Sequence, residues 1–135
     1  MTARKLLDSL ANLEKVVTKL EKALLVPRNS ELVFEGTIHR FEMTIELTWK
    51  TLKRALKHEG FRPKTPRESV NEAFQLGWIS DESVWLDMID QRNTTSHEYL
   101  DEENLEENYD DVVRVTPILR KTLTFLQDRY KNLKP

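Results

Sequence analysis

Cysteine is absent from this 135-residue chain, and glycine occurs only three times. Without thiolates, disulfide bonds and cysteine-ligated metal sites are excluded. With so few glycines, there is no glycine-rich loop to cradle the phosphates of a nucleotide. Histidines and carboxylates also show no metal-ligand spacing on one helix, so we expect neither a metal ion nor another cofactor.

Long apolar runs are missing as well. No segment approaches the ~20 apolar residues that a membrane-spanning helix needs. The first residues lack the pattern of a secretory signal peptide, since charged and polar residues soon follow Leu6 and Leu7. We therefore expect a cytoplasmic protein that does not enter a membrane.

What is abundant favours one helical domain. Charged residues make up 33% of the chain, which suits helices with solvated outer faces. A chain of 135 residues is long enough to form one domain with its own core, so residues 1–135 are interpreted as a single unit.

Apolar residues recur every three or four positions and predict an amphipathic first helix that Pro27 should end. Ser30 is suited to cap a second helix, which should close near Gly60. Three further apolar residues widen the apolar surface of this second helix: Leu47, Trp49 and Leu56. Such width predicts a central helix, or one that also meets a second subunit.

Two shorter helices should follow. Thr65-Pro66-Arg67-Glu68 has the pattern of a capping box with proline in the first turn, and Gly77 should end this third helix. Ser80-Asp81-Glu82 opens the fourth helix with acidic groups, which the helix dipole favours at an N-terminus.

The last helix is predicted to start at Asp101 or Asn104 and to be kinked or split at Pro117, because proline disrupts the helical hydrogen bonds. Together, the five patterns predict an all-α fold, an antiparallel bundle of about five helices.

Charge is distributed unevenly, although the net charge is only −2. Residues 50–67 contain seven Lys or Arg against Glu59 alone, and residues 98–111 contain eight Asp or Glu and no Lys or Arg. Two interpretations remain open. The two segments are solvated helix faces that attract each other, or they are a basic rim for a phosphate-bearing ligand beside an acidic surface that docks a partner.

One segment places a guanidinium, an imidazole and a phenol within eight residues: Arg92-Asn93-Thr94-Thr95-Ser96-His97-Glu98-Tyr99. It follows an apolar helical stripe of Trp85, Met88 and Ile89. Arg92 continues that stripe and so falls where burial is expected. A buried charge needs a partner or a wet cleft, because leaving it unpaired is costly.

Arg92 and His97 are five positions apart, which on an unbroken helix would separate them by ~140°. The three residues 94–96 are weak helix formers, so a helix that ends or distorts there would bring both side chains to one cleft. Arginine can hold two phosphate oxygens, and histidine can take up and release a proton near neutral pH. The pair suffices in principle for metal-free RNA cleavage, in which the ribose 2′-hydroxyl attacks the adjacent phosphorus.

Structural roles are the alternative for the same residues. Arg92 would then pair with Asp90 or Glu98, His97 would cap a helix, and Tyr99 would lie at the rim of the core. The remaining histidines and tryptophans rank lower as site residues. His39 is expected at the surface and His58 in the last turn of its helix. Trp49 and Trp85 are expected in the core. Trp78, which follows Gly77, is expected to be an exposed platform for stacking on a base.

Arg-x4-His-x-Tyr resembles the signature of the HEPN superfamily (higher eukaryotes and prokaryotes nucleotide-binding domains). The likeness extends over about residues 4–130. Phe41–Leu52 resembles the second-helix segment of the prokaryotic nucleotidyltransferase substrate-binding proteins. Further matching segments follow in order: Gly60-Phe61, Thr65-Pro66-Arg67-Glu68, Glu72-Ala73-Phe74, and Trp85-Leu86-Asp87-Met88 leading into Arg92-Asn93.

The resemblance implies a helical bundle that pairs with itself and works with a minimal nucleotidyltransferase. In related HepT-type toxins the arginine and histidine form a ribonuclease site across the dimer, and the partner, as antitoxin, transfers AMP to the tyrosine. Carried over, Arg92 would stabilise the scissile phosphate, His97 would act as general acid and base, Tyr99 would accept AMP, and Asn93 would help position the phosphate.

A second function remains open beside the ribonuclease. The chain would be a non-catalytic subunit that presents a nucleotide or other substrate to a separate nucleotidyltransferase. Phosphate would then be bound by Arg92 and by the basic segment, in particular Lys50, Lys53, Arg54 and Lys57. In either case the ligand is RNA or a nucleotide, and the chain is not itself the nucleotidyltransferase.

Overall fold

The computed structural model describes residues 2–93 and 105–135. Every regular element in these ranges is an α-helix: α1 (Thr2–Ala23), α2 (Glu31–His58), α3 (Pro66–Gln75), α4 (Glu82–Asn93) and α5 (Leu105–Arg129). The prediction of an all-α bundle of five helices is confirmed. None of the helices in the described ranges combines the length and apolar character that crossing a bilayer requires. The predicted homodimer stays a prediction.

The longest helix, α2, lies at the centre of the bundle and contacts α1, α3, α4 and α5. Around it, α1 packs against α5, and α3 packs against α4. The core side chains of α2 include Ile38, Phe41, Ile45, Leu52 and Leu56. Of the three residues that widen the apolar surface of α2, Leu56 is fully buried and Leu47 packs partly buried against the core, as expected for a central helix.

The first two helices have the boundaries that local chemistry predicts. α1 ends at Ala23, four residues before Pro27. The hydroxyl of Ser30 accepts a hydrogen bond from the Val33 N–H at 3.4 Å and caps α2. Gly60, at φ +97°, ends α2, and the Phe61 N–H donates to the Leu56 carbonyl at 2.9 Å. Glycine takes this left-handed conformation without steric cost.

The predicted start of α3 is also confirmed. Thr65 and Glu68 form a reciprocal capping box, with Pro66 in the first turn. α3 ends ahead of Gly77, which has φ +76°. α4 begins at Glu82, directly after Asp81, so the turn between the two helices is short.

The prediction that Trp78 is an exposed platform is wrong, because its side chain is only 7% exposed. Gly77 turns the chain back over the end of α3, where the Trp78 N–H donates to the Ala73 carbonyl at 2.9 Å. The indole then packs against α5. Its ring centroid lies 6.1 Å from that of Phe125, and the Arg129 guanidinium lies 5.0 Å above it.

Pro117 does not split the last helix, since α5 is continuous from Leu105 to Arg129. A proline in a helix leaves the carbonyl four residues earlier without its usual donor. Here that residue is Val113, which is exposed, as is Pro117, so water can hydrate the carbonyl. A kink at Pro117 stays a prediction, and the predicted starts at Asp101 or Asn104 lie outside the described residues.

One arginine ties α5 to α1. Arg120 donates to Glu14 at 2.7 Å and to Glu21 at 2.6 and 3.1 Å, and it also donates to the Thr18 hydroxyl at 3.1 Å. The hydrogen bond from Arg120 is the largest influence on Glu14 and lowers the pKa of that carboxyl. The planar guanidinium thus joins two carboxylates that lie two turns apart on α1.

Arg120→Ala should lower the free energy of unfolding by about 1–2 kcal/mol, because charge-assisted hydrogen bonds are lost from a half-buried position. Urea denaturation at neutral pH measures the change. The matched control is Arg114→Ala, which removes an exposed arginine of the same helix whose partner among residues 2–93 and 105–135 lies within α5, namely Asp111 at 3.5 Å. Its effect should stay within about 0.5 kcal/mol. Equal losses in the two variants would contradict the assignment.

The same pair of variants should differ in pH dependence. A carboxyl whose pKa is lowered in the folded state stabilises the protein above its ordinary pKa and loses that contribution as the pH falls. Wild type should therefore lose stability more steeply than Arg120→Ala below about pH 4.5, the ordinary value for glutamate. Parallel curves for the two proteins would show that Arg120 does not perturb Glu14.

Candidate functional site

The stripe that leads to the Arg-x4-His-x-Tyr motif is buried as predicted. Trp85, Met88 and Ile89 are 2%, 3% and 4% exposed. α4 ends at Asn93, so Arg92 and Asn93 lie in its last turn. The side chains of these two residues, and His97 and Tyr99 altogether, lie outside the described residues. Their convergence in one cleft therefore stays a prediction.

The end of α4 is held by a salt bridge from α3. Nη2 of Arg67 donates to both carboxylate oxygens of Asp90, at 3.0 and 3.2 Å. If Arg92 has a structural role, Asp90 is one of the two acids that are expected to pair with it. Asp90 instead pairs with Arg67 at the surface, where both side chains are more than half exposed, and this pairing links the last turns of α4 to the start of α3.

A concave feature that can bind a ligand lies between the first half of α1 and the second half of α2. It is a cavity of about 580 Å³, which we call the basic pocket. Its lining residues are Lys5, Asp8, Ser9, Asn12, Trp49, Lys50, Lys53, Arg54 and Lys57. The volume falls within the range of pockets that hold small molecules.

The basic pocket is strongly cationic. Among the described residues that line it, five are Lys or Arg and one, Asp8, is acidic. Lys50 is paired with Glu46 at 3.2 Å along α2. The clustering of the other cations around a concave surface produces a positive potential that suits an anionic ligand such as a phosphate.

A chain of hydrogen bonds positions Arg54 at this pocket. Thr51 donates its hydroxyl hydrogen to the Leu47 carbonyl at 2.7 Å. The 2.6 Å contact between the hydroxyls of Ser9 and Thr51 must therefore be donated by Ser9. The Ser9 oxygen in turn accepts from Arg54 Nη1 at 2.9 Å. Because Ser9 is 2% exposed and Thr51 fully buried, this chain anchors one arm of the guanidinium in the interior.

The structure brings together four residues that the sequence singled out for phosphate binding: Lys50, Lys53, Arg54 and Lys57. It adds the α1 residues, which the sequence analysis missed. Their spacing supplied a signal, since Lys5, Asp8, Ser9 and Asn12 repeat at three and four positions and so share one helical face. That spacing does not predict which face of α2 these residues contact.

The prediction that Trp49 belongs to the core is wrong. Its side chain is partly exposed and lines the basic pocket. Trp49 lies on α2 between the buried Thr48 and the exposed Lys50, at the boundary between the core face and the pocket face. At that boundary the indole is accessible to a ligand in the pocket.

The two charged segments do not neutralise each other within the described part of the chain. In the acidic segment, Asp110 pairs with Arg28 at 2.7 Å and Asp111 with Arg114 at 3.5 Å. In the basic segment, Lys50 and Arg67 pair with residues outside the acidic segment. The interpretation of two mutually attracting faces is therefore not supported by the ion pairs described.

The other candidates occupy structural positions. His39 is exposed on α2. His58 lies in the last turn of α2, as predicted, and its ring packs edge-on against Tyr130 at 5.6 Å between centroids. Among residues 2–93 and 105–135, no group of three or more histidine or acidic side chains is arranged to hold a metal ion.

Comparisons with known proteins agree on the family. Residues 8–128 match the family described as nucleotidyltransferase substrate binding protein like. A curated relative, the probable ribonuclease HepT of Haemophilus influenzae, is 32% identical over 74 residues, which is 51% of each chain. The chain thus spans about half the length of the curated relative it matches.

Two solved structures share the fold. A Thermus thermophilus protein matches with a TM-score of 0.77 and 25% identity, over 85% of this chain and 98% of that one. A Haemophilus influenzae protein, described as revealing the fold of a substrate binding domain of a nucleotidyltransferase, matches with a TM-score of 0.65 and 25% identity, over 93% and 98%. Because the family match covers most of its length, the chain belongs to the nucleotidyltransferase substrate-binding protein-like family.

Proposed function

We propose that this protein is a HepT-like, metal-independent endoribonuclease that works with a minimal nucleotidyltransferase as its antitoxin. The proposal is supported by the family match and by the likeness to a probable ribonuclease HepT. The observation that carries it is the position of Arg92, in the last turn of α4, directly after a stripe buried against the bundle. A rigid helix end is a suitable support for a group that must hold a phosphate in one place.

In this mechanism Arg92 binds two oxygens of the scissile phosphate and stabilises the charge that develops on them. His97 takes the proton of the ribose 2′-hydroxyl, whose oxygen attacks the adjacent phosphorus. The 5′-oxygen of the next nucleotide leaves and receives a proton from His97, and a 2′,3′-cyclic phosphate remains on the upstream strand. Asn93 donates to the phosphate or its neighbour, and no metal ion takes part.

Modification of Tyr99 switches the ribonuclease off. Its phenolic oxygen attacks the α-phosphorus of ATP held by the nucleotidyltransferase, and pyrophosphate leaves. The attached AMP then brings a phosphodiester and a base to a position two residues from His97. The attached AMP fills the space where RNA would bind and pairs with the cation that would hold the RNA phosphate. The modified chain therefore does not cleave RNA.

A homodimer is part of the proposal, and the outer face of α2 supports it. Leu32 is 79% and Met43 52% exposed, and Gly36 between them has no neighbouring atom within 4 Å of where a Cβ would stand. These three positions fall within ~40° around the helix axis. With no side chain at Gly36, a second copy of the helix can approach Leu32 and Met43 closely, beside the exposed His39.

His97→Ala should lower the rate of RNA cleavage by roughly 10²–10⁴-fold, the usual contribution of general acid–base catalysis. Cleavage of a single-stranded RNA by the purified chain in EDTA measures the effect. His39→Ala removes an exposed histidine of α2 and should leave the rate unchanged. If cleavage persists in His97→Ala, or stops in EDTA with the wild type, the mechanism is wrong.

Co-expression with the nucleotidyltransferase partner should add one or more AMP units to the chain, and Tyr99→Phe should abolish the addition. Intact-mass measurement followed by peptide mapping reads the result. Tyr109 is 1% exposed and Tyr130 6% exposed, so Tyr109→Phe serves as the control and should still be modified. Addition of AMP to Tyr99→Phe at the wild-type level would exclude Tyr99 as the acceptor.

A second candidate function is a non-catalytic subunit that presents a nucleotide or other substrate to the nucleotidyltransferase. The basic pocket favours it, since four of the residues predicted to bind phosphate line one cavity. Expression of the chain alone in bacteria separates the two functions. Growth arrest with loss of RNA supports the ribonuclease, whereas normal growth together with nucleotide binding in solution supports the binding subunit.

A further inference from the structure

The basic pocket has more cationic side chains for each aromatic side chain than the binding of single-stranded RNA requires. In the described part of the chain, its lining combines five Lys and Arg side chains with one aromatic side chain, that of Trp49. RNA brings one phosphate with each base, and proteins that bind single strands distribute aromatic rings and cations along a groove. A nucleoside triphosphate instead has a chain of phosphates and one base. It therefore matches a pocket with several cations and one aromatic ring.

The groups also follow one another in a suitable order along α2. Trp49, Lys53 and Lys57 are spaced at i, i+4 and i+8, so they form a row with steps of ~6 Å on one helix face. Arg54 lies beside Lys53 in the same pocket. The single aromatic ring is thus at one end of the row, and the cations follow it over two turns, a length comparable to a nucleotide with its phosphates extended.

Arg54 is the most firmly held of these cations. Its Nη1 donates to Ser9, which is fixed by Thr51 and through it by the backbone of α2. The anchored arm leaves the other donors of the guanidinium fork to a ligand. A lysine without such an anchor must give up side-chain freedom when it binds, so Arg54 is the preorganised member of the set.

We propose that the basic pocket binds a nucleoside 5′-triphosphate, with its base stacked on Trp49 and its phosphates on Lys53, Arg54 and Lys57. The inference rests on the second candidate function, because it names the ligand of the pocket proposed there. It does not depend on cleavage by Arg92 and His97. Asp8 and Asn12, on the α1 wall, supply acceptors and donors for the ribose hydroxyls and the base edge.

The test is isothermal titration calorimetry of the full chain in EDTA with four probes: ATP, inorganic triphosphate, AMP and a single-stranded oligoribonucleotide whose 2′-hydroxyls are methylated, so that the proposed ribonuclease cannot cleave it. ATP should bind more tightly than inorganic triphosphate, which lacks the base, and more tightly than AMP, which lacks two of the phosphates. Trp49→Ala should weaken ATP by roughly 5- to 150-fold, the range measured when a stacking aromatic is removed. It should leave inorganic triphosphate unchanged, and Trp49→Phe should restore most of the ATP affinity.

Matched variants test the cations. Lys53→Ala and Lys57→Ala should each weaken both ATP and inorganic triphosphate, by roughly up to fivefold. Lys64→Ala is the control, because Lys64 is an exposed lysine of the same basic segment that does not line the pocket. Ser9→Ala should weaken ATP by releasing Arg54, and circular dichroism establishes that each variant is folded.

Two results would overturn the inference. One is equal affinity for ATP in the wild type, Trp49→Ala and Lys57→Ala. The other is tighter, Trp49-dependent binding of the oligoribonucleotide than of ATP, which would make the pocket an RNA contact. RNA cleavage by the same preparations is measured separately and reports on Arg92 and His97, so failure of the ribonuclease and failure of the pocket are distinguished.

Discussion

The central position of α2 is the constraint on which the rest of the structure depends. A helix contacted by four neighbours must bury most of its circumference, and α2 does so with aliphatic residues, Phe41 and threonines. The threonines are tolerated because their hydroxyls donate to carbonyls one turn back, as Thr44, Thr48 and Thr51 do at 2.7 Å. What remains open is a narrow sector of α2, and the cations of the basic pocket occupy its C-terminal half.

Two arginines show how the same side chain serves stability in one place and binding in another. Arg120 is surrounded by Glu14 and Glu21, so its charge is neutralised within the fold and it joins α1 to α5. Arg54 bonds to the hydroxyl of Ser9, which fixes the side chain without cancelling its charge. An anchored cation with its charge intact is suited to bind an anion, because the position is set before the ligand arrives.

Much of the candidate site could be predicted from the sequence, and the remainder could not for a physical reason. Lys50, Lys53, Arg54 and Lys57 lie on a single helix, so their helical spacing was enough to place them on one surface. Lys5 and Ser9 belong to another helix, and only the packing of α1 on α2 shows that they line the same cavity. The Arg-x4-His-x-Tyr motif is readable as a motif, and its geometry lies outside the described residues.

The errors over the tryptophans have the same origin. Apolar character predicts Trp49 in the core, but that property does not say on which side of the core boundary a ring will lie. Trp78 follows a glycine turn, a place where exposure is common, yet the turn folds it onto α5, where Phe125 and Arg129 cover it.

By itself, the sequence determined the number of helices, the caps that start α2 and α3, and the glycine turns that end these two helices. These depend on residues within about four positions, as with Ser30 and Val33 or Thr65 and Glu68. Only the tertiary structure decided that α2 is surrounded, that Trp78 is covered, and that a buried serine holds Arg54 at a cavity. Those outcomes depend on contacts between residues far apart in the chain, such as Ser9 and Thr51, which are 42 positions apart. Local periodicity shows which face of a helix is buried, but it does not show which other face will cover it.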